Sequence, residues 1–282
     1  MKNILTRFLK YPLYPRPLSS LEKVMVTLHF GGFAKCNICG WFTPLYLKNA
    51  SFRESCKCFR CRSTNRQRQL AYTLCKAVGA MKGQSFSSLK KLAETDKNDL
   101  IIYNTEANGA FHRYLSKAKN YISSEYFGSF YTSGELVNGV MHQDLMKMSL
   151  ADESLDIFIT SDVLEHVPEP YQAHREIYRV LKPGGIHIFA VPFNPDEFLD
   201  DHRAVLNDDG TITYFKEPVY HGDPLNMAKG ILVYNLFSLE MLVKLRQIGF
   251  RTHLYQLQQR FYGIFGPDTL IFEAIKEAPV DS

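Results

Sequence analysis

From residue 99 onward, short apolar runs alternate with stretches of helical periodicity. The runs are rich in Ile, Val, Phe and Tyr, as in parallel strands that are buried on both faces. They lie at 100–103, 121–124, 140–142, 155–160, 186–191, 250–257 and 270–275, and helical patterns begin at Ala110, Tyr171 and Ser238. This alternation predicts an α/β fold with a mostly parallel sheet covered by helices. The last two runs are joined by a loop too short for a helix, so we expect them to pair antiparallel at an edge.

The charge of the chain is divided unevenly along its length. The net charge of all 282 residues is only +4, but residues 1–95 carry 17 Lys and Arg against 3 Asp and Glu, net +14, which leaves −10 for the rest. Opposite charges predict two modules, which either have different partners or attract each other. The predicted order is a proline-rich lead at 1–30, a module with a following helix at 31–81, a polar linker at 82–98 and a larger domain at 99–282.

Five of the six cysteines lie between residues 36 and 61. Cys36 with Cys39 and Cys58 with Cys61 form two C-x2-C pairs separated by 18 residues, a spacing typical of a four-thiolate zinc site. Four thiolates leave no open coordination position, so such an ion would be structural. Cys56 is an alternative ligand, and a set of reduced core thiols is the alternative to a metal site.

Arginine and aromatic residues accompany these cysteines. They are Arg60, Arg62, Arg66, Arg68, Trp41, Phe42 and Phe59. Such a set can contact RNA phosphates and stack on bases, pair with the acidic part of the chain, or form a solvated face. Nucleic acid is therefore one candidate partner.

Neither a targeting segment nor a membrane span is expected. The basic N-terminus lacks the uninterrupted apolar region of a signal peptide. No apolar run approaches the roughly 18 residues that a membrane helix requires. We expect a soluble, cytoplasmic protein with reduced cysteines.

Three strings in the middle of the acidic part resemble a known family. They are Asp152-Glu-Ser-Leu-Asp156, Ser161-Asp-Val-Leu-Glu-His-Val-Pro168 and Arg179-Val-Leu-Lys-Pro-Gly-Gly185. They are similar to motifs of the class I S-adenosylmethionine-dependent methyltransferases, of the type 11 group, and the resemblance runs from about residue 99 to the C-terminus. It implies a Rossmann-like class I methyltransferase sheet with an antiparallel last strand, and S-adenosylmethionine as the cofactor. With the cysteines, the chain also resembles a bacterial group of zinc-knuckle methyltransferases.

The resemblance and the strand ends together imply a set of cofactor-binding residues. Ligands of open α/β sheets lie beyond the carboxyl ends of the strands. The implied residues are Glu106, Asn108, Gly109, Glu125, Asp144, Leu145 and Ser161. Glu125 would accept hydrogen bonds from the ribose hydroxyls, and Asp144 would bind the adenine amino group; exposed loop acids are the alternative reading.

The turn after the first strand of the sheet departs from the family pattern. Members of the family carry an acidic residue there, followed by a Gly-x-Gly-x-Gly turn. When this chain is aligned on Gly109, Tyr103 stands at the acidic position, and Thr105 and Ala107 replace the first two glycines.

Residues 192–237 form an insertion far longer than an ordinary connection between a strand and a helix. Long insertions at this edge of a sheet are typical of lids and substrate pockets. His221 is the predicted general base and His202 the second candidate, with a structural histidine as the alternative. Asp162, at the end of the fourth strand, is expected to face the cofactor and the acceptor.

The family also includes metal-dependent O-methyltransferases with an E-x-x-E-H arrangement. The string Asp162-Val-Leu-Glu165-His166 imitates it. The same string is widespread in metal-free relatives, and a fourth ligand is missing from it.

The leading hypothesis is a methyltransferase that acts on oxygen or nitrogen of a small polar acceptor and carries a structural zinc module. An RNA methyltransferase that binds nucleic acid through the basic module is the second hypothesis. A non-catalytic binding protein with a degenerate cofactor site is the third. The sequence specifies neither the acceptor nor the oligomeric state.

Overall fold

The computed structural model describes residues 33–46, 53–95, 99–222, 230–266 and 269–278. The predicted lead at 1–30 therefore lies outside the described residues. The chain divides into two compact units, and neither is continuous in sequence. The first unit comprises Met1–Asn98, Asn108–Lys119 and Tyr255–Ile271, and the second comprises Asp99–Ala107, Asn120–Leu254 and Phe272–Ser282. Two segments from beyond residue 98 thus cluster with the cysteine-containing part of the chain.

The first unit contains a small antiparallel sheet and a long helix. Strands β1 (Phe33–Lys35), β2 (Phe42–Tyr46) and β3 (Lys57–Cys58) are ordered β1-β2-β3. Helix α1 (Asn65–Lys82) begins after Thr64, whose side chain and that of Gln67 cap each other's backbone N–H groups. It ends at Gly83, which has a φ of 63° in the left-handed region. The helix predicted to follow the cysteines is confirmed, and it extends to Lys82.

Two shorter helices also belong to the first unit. Helix α2 (Leu89–Ala93) lies inside the stretch predicted as a linker, and helix α3 (Gly109–Leu115) packs against it. Ser88 caps α2 by accepting a hydrogen bond from the Lys91 N–H. The backbone N–H groups of Leu89 and Lys90 donate to the carbonyls of Asn37 and Ile38, so α2 is tied to the loop after β1.

The second unit is built on an eight-stranded sheet. Its strands are β4 (Ile102–Asn104), β5 (Tyr121–Glu125), β6 (Leu136–Val137), β7 (Val140–His142), β8 (Leu155–Ser161), β9 (Leu181–Ala190), β16 (Phe250–Gln256) and β17 (Leu270–Lys276). Their order is β16-β17-β9-β8-β4-β5-β7-β6. Strands β7, β5, β4, β8 and β9 are parallel, and β17 runs antiparallel to β9. The predicted fold class, with its antiparallel last strand, is confirmed.

Helices α4 (Pro170–Val180) and α5 (Leu239–Ile248) pack against each other and begin within one residue of their predicted starts. Their buried faces join a core of aromatic residues from the sheet, including Phe158, Phe189 and Phe272. None of the helices in the described ranges is both long and apolar enough to cross a membrane.

The described part of the insertion, residues 192–222 and 230–237, contains three small antiparallel pairs of strands. They are β10 (Asp201–His202) with β15 (Asn235–Leu236), β11 (Ala204–Leu206) with β12 (Ile212–Tyr214), and β13 (Tyr220–His221) with β14 (Ile231–Leu232). A 3-10 helix (Leu164–His166) follows β8. The backbone N–H of Tyr234 donates to the carbonyl of Glu165 at 2.8 Å, so the insertion is fastened to this 3-10 helix.

Two neighbouring histidines, His174 and His187, are fully buried in the core of the second unit. The rings of His174 and His187 lie 5.5 Å apart, and each also contacts Phe189. Burial lowers the pKa of His174 to about 3. Burial and the neighbouring His174 lower the pKa of His187 well below its usual range. Both rings are therefore neutral in the folded protein at pH 7.

These histidines predict acid sensitivity. Because the unfolded chain binds a proton at His174 near pH 6.5 and the folded chain only near pH 3, stability is present above that window and is lost as the pH falls through it. One such group contributes a slope of up to about 1.4 kcal/mol per pH unit. His174→Leu should reduce the mean slope by about 1 kcal/mol per pH unit in urea unfolding measured between pH 7 and pH 5. An unchanged slope would show that His174 is not the responsible group.

Candidate functional site

Polar residues gather where four neighbouring strands of the sheet end. Asn104 of β4 is in register with Ser123 of β5 and Ile159 of β8, so the carboxyl ends of these strands lie side by side. Glu125 ends β5 opposite His142 of β7. The predicted cofactor residues of the second unit therefore follow one edge of the sheet, where ligands of such sheets bind. They are Glu106, Glu125, Asp144, Leu145 and Ser161.

The turn after β4 is held by hydrogen bonds instead of relying on glycines. The Ala107 N–H donates to Oε1 of Glu125 at 2.9 Å. The side-chain amide of Asn104 donates to the Glu106 carbonyl at 2.8 Å and to the Tyr121 hydroxyl at 3.0 Å. These contacts fix a turn that has side chains where the family pattern has glycine.

The last residue of the glycine pattern is a glycine for a conformational reason. Gly109 has a φ of 78° at the start of α3, in a region that side chains disfavour. Asn108 precedes it as the N-cap, and its side chain makes no capping hydrogen bond. Asn108 and Gly109, the two other predicted cofactor residues, belong to the first unit, and both are exposed.

Tyr103 occupies the position at which the family carries an acid. Its side chain is fully buried, its hydroxyl hydrogen-bonds to Oγ of Ser124, and its ring lies 4.6 Å from that of Phe158. Burial raises the pKa of Tyr103 well above its usual range, so the hydroxyl stays neutral. This position thus packs the core and offers no anionic acceptor to a cofactor.

Predicted site residues directly follow strands β7 and β8. Asp144 is half-buried and its Oδ1 accepts a hydrogen bond from the Met146 N–H at 2.8 Å, while Leu145 is buried. Asp162 has a φ of 52°, which is uncommon for a residue with a side chain. Backbone conformations of this kind are concentrated at functional sites.

Four cysteines of the first unit form a compact cluster. The Sγ atoms of Cys36, Cys39, Cys58 and Cys61 all lie within 4.8 Å of one another and are buried. Two of the separations are 3.7 Å and 3.9 Å. Thiolates bound at about 2.3 Å around a tetrahedral ion lie about 3.8 Å apart, so the cluster fits a zinc ion.

The fifth cysteine of the module, Cys56, is outside this cluster. Burial raises the pKa of Cys56 to about 12, and burial does the same for Cys75, so both are neutral thiols. The structure therefore brings together the same two C-x2-C pairs that the spacing favoured.

Of the arginines considered for RNA binding, Arg68 is fully buried. Its guanidinium donates to the carbonyls of Ser63 at 2.9 Å, Cys56 at 2.7 Å and Gly263 at 2.9 Å. A side chain on Gly263 would clash with Leu45, 2.5 Å away. Arg68 therefore holds the cysteine loop to the segment around Gly263 and is not available to a phosphate.

The other arginines of this set are nearer the surface. Arg66 pairs with Glu54. Arg60 and Arg62 are exposed and lie over the rings of Trp41 and Phe59, at 5.4 Å and 5.7 Å respectively. Of the four arginines that the sequence offered for RNA binding, only Arg60 and Arg62 are therefore exposed.

The predicted bases lie on different parts of the insertion. His202 is exposed, and its Nδ1 is 2.6 Å from Oδ1 of Asn235. His221 is half-buried, with Nδ1 3.5 Å from Oε1 of Glu165. His166 lies close to both Glu165 and His221, so these three residues form a group. Sequence spacing gives no signal for it, because 54 residues separate His166 from His221.

Comparison with known proteins agrees with the fold. Residues 107–189 match the family model of a methyltransferase domain. An uncharacterized methyltransferase of Mycobacterium bovis is 49% identical over 45 residues, which are 16% of this chain and 18% of the relative. One of Mycobacterium ulcerans is 47% identical over 45 residues, with the same shares. The chain thus spans less than a fifth of the length of these relatives.

The solved structures to which this chain is similar are distant in sequence and have low TM-scores. An S-adenosylmethionine-dependent methyltransferase of Mesorhizobium loti has 17% identity and a TM-score of 0.41, covering 66% of this chain and 95% of that one. One of Aquifex aeolicus has 15% identity and a TM-score of 0.36, covering 74% and 95%.

The sheet order, with its run of parallel strands and the antiparallel β17, defines a Rossmann-like α/β domain. The match to the methyltransferase domain covers less than a third of the chain, from Ala107 to Phe189.

Proposed function

We propose that this protein is an S-adenosylmethionine-dependent methyltransferase that transfers a methyl group to oxygen or nitrogen of a small polar acceptor. The observation that carries the proposal is the family match over residues 107–189, which includes the ends of β5, β7 and β8. In this proposal the cofactor lies along the edge formed by those ends.

The residues of that edge supply the contacts that the cofactor needs. One oxygen of Glu125 accepts the Ala107 N–H, and the carboxylate as a whole has capacity for further hydrogen bonds from ribose hydroxyls. Asp144 is held by the Met146 N–H in an orientation that leaves its second oxygen for the adenine amino group. Ser161 and Asp162 would face the methionine part and the acceptor.

We assign the acceptor to the insertion at 192–237. Methyl transfer requires a lone pair aimed in line at the sulfonium carbon, and a hydroxyl acceptor must also lose its proton. Of the two predicted bases, only His221 lies beside a buried carboxylate, that of Glu165. We therefore assign acceptor binding to the part of the insertion around His221.

The four-cysteine cluster is proposed to hold a structural zinc ion. Cys36, Cys39, Cys58 and Cys61 would bind it, and it would supply folding free energy without chemistry, since four thiolates leave no open position. The buried Arg68 contributes a positive charge near a site whose ion and ligands together carry a net charge of −2.

Glu125→Ala should weaken the binding of S-adenosylhomocysteine by about 1–3 kcal/mol, the cost of leaving ribose hydroxyls unpaired in a buried site. Calorimetric titration measures this. Glu277→Ala, which removes an exposed carboxylate paired with Arg251, is the matched control and should leave the affinity unchanged.

A second variant separates two roles of Glu125. Glu125→Gln keeps an oxygen for the Ala107 N–H but loses the charge and the second acceptor oxygen. Weakening comparable to that of the alanine variant supports contact with the cofactor. Full affinity in Glu125→Gln would instead mean that Glu125 serves only to hold the turn.

The acceptor class can be tested with methyl-labelled S-adenosylmethionine. The protein is incubated with the label and either a cell extract of small molecules or total RNA, and each fraction is counted. Label in the small-molecule fraction supports the proposal. Label in RNA alone would support an RNA methyltransferase, which the exposed Arg60 and Arg62 with their aromatic partners favour.

A further inference from the structure

The side chain of Glu165 is a buried carboxylate without a hydrogen bond. It is 0% exposed, and neither of its oxygens has a hydrogen-bond partner within the described ranges. A buried charge that is neither paired nor hydrogen-bonded costs several kcal/mol. Its oxygens are therefore suited to a positively charged ligand.

Two imidazoles face this carboxylate. Nδ1 of His221 lies 3.5 Å and Nε2 of His166 lies 3.7 Å from Oε1 of Glu165. Both separations are longer than a normal hydrogen bond. Ligand atoms bound at about 2.1 Å around one tetrahedral ion are about 3.4 Å apart, so both separations are close to that of two ligands of a shared ion. One ligand atom from each of the three residues lies within 4.8 Å of the other two.

The orientation of His166 is fixed by the backbone. Its Nδ1 lies 2.8 Å from the carbonyl oxygen of Leu232, and because a carbonyl only accepts, Nδ1 carries the hydrogen. In the neutral ring the lone pair is then on Nε2, which faces Glu165. Donation from the other ring nitrogen to a carbonyl is the usual support of a metal-binding histidine.

The backbone also positions the group at the functional edge of the sheet. Glu165 and His166 belong to the 3-10 helix directly after β8, beside Ser161 and Asp162. His221 comes from β13, which pairs with β14. The group is therefore assembled only when the insertion is folded against the end of β8.

We propose that Glu165, His166 and His221 bind a divalent transition-metal ion such as Zn²⁺ or Co²⁺. Two imidazoles and one carboxylate suit these ions better than Mg²⁺ or Ca²⁺, which prefer oxygen ligands. Three protein ligands leave open positions for an oxygen or nitrogen donor of a small molecule. In this arrangement His221 acts as a ligand and not as a free base. The binding of the ion does not depend on methyl transfer.

The test is a count of bound metal in the full chain. Metal-free wild type, Glu165→Gln and His221→Ala are dialysed to equilibrium against Zn²⁺ at neutral pH, and the ions per chain are measured after a check of the fold by circular dichroism. His253→Ala, which removes an imidazole of β16 outside this group, is the matched control. We expect each of the first two variants to bind one ion fewer than wild type, and His253→Ala to match wild type.

The test compares the number of bound ions per chain between wild type and each variant. The difference does not depend on whether the four cysteines also bind zinc. Equal counts in wild type and Glu165→Gln would overturn the proposal and identify the group as a histidine–carboxylate ion pair. Glu165→Gln is nearly isosteric and removes a buried charge, so it keeps the test decisive if His221→Ala fails to fold.

Discussion

Cys58→Ser should abolish binding of the proposed zinc ion and unfold the cysteine-containing unit, because Cys58 is one of four clustered sulfurs and β3 is only two residues long. Structural zinc sites supply on the order of 10 kcal/mol of folding free energy in small modules. Loss of one thiolate should remove most of it. Zinc content measured by mass spectrometry and thermal unfolding measured with and without a chelator record the two effects.

Cys56→Ser is the matched control for this variant. Cys56 is buried two residues from Cys58 but lies outside the cluster. It should keep its zinc, and chelation should destabilise it as much as wild type. If Cys56→Ser loses the ion and Cys58→Ser keeps it, Cys56 is the true ligand and the assignment of the pairs is wrong.

Arg68→Met should lower the free energy of unfolding of the same unit by about 3–5 kcal/mol, since it leaves the carbonyls of Ser63, Cys56 and Gly263 without their buried donor. Met has a similar length, so the loss reports on the hydrogen bonds and the charge more than on a cavity. Denaturant unfolding measures it.

Arg66→Met provides the comparison within the same helix. Arg66 pairs with the partly exposed Glu54 near the surface, and such pairs contribute no more than about 1 kcal/mol. A loss of similar size in the two variants would show that the contacts of Arg68 carry no special weight.

Much of this architecture could be predicted because local patterns determine it. The apolar runs of β5, β7 and β8 end within one residue of the predicted positions, and Ser238 is the N-cap of α5 as its pattern indicated. Two C-x2-C pairs determine a four-sulfur cluster by spacing alone. The strands and the helix start depend on contacts close in sequence, and the cysteine cluster depends on the fixed spacing of ligands in tetrahedral zinc sites.

The features that the sequence did not reveal depend on distant contacts. Arg68 reads as a basic surface residue until the carbonyl of Gly263, 195 positions away, is placed beside it. In the sequence, Tyr103 only marks the absence of the family's acidic residue. In the structure, it is a buried core residue whose hydroxyl bonds to Ser124. Neither pairing leaves a periodic or spacing signal, so only the three-dimensional structure shows them.

The proposed methyltransferase should bind S-adenosylhomocysteine although Thr105 and Ala107 replace two glycines of the turn. Two measurements on the wild-type protein test this: calorimetric titration with S-adenosylhomocysteine, and thermal unfolding at a series of ligand concentrations. We predict one site per chain and a melting temperature that rises with ligand concentration. No heat together with no thermal protection would contradict a methyltransferase and indicate a non-catalytic binding protein.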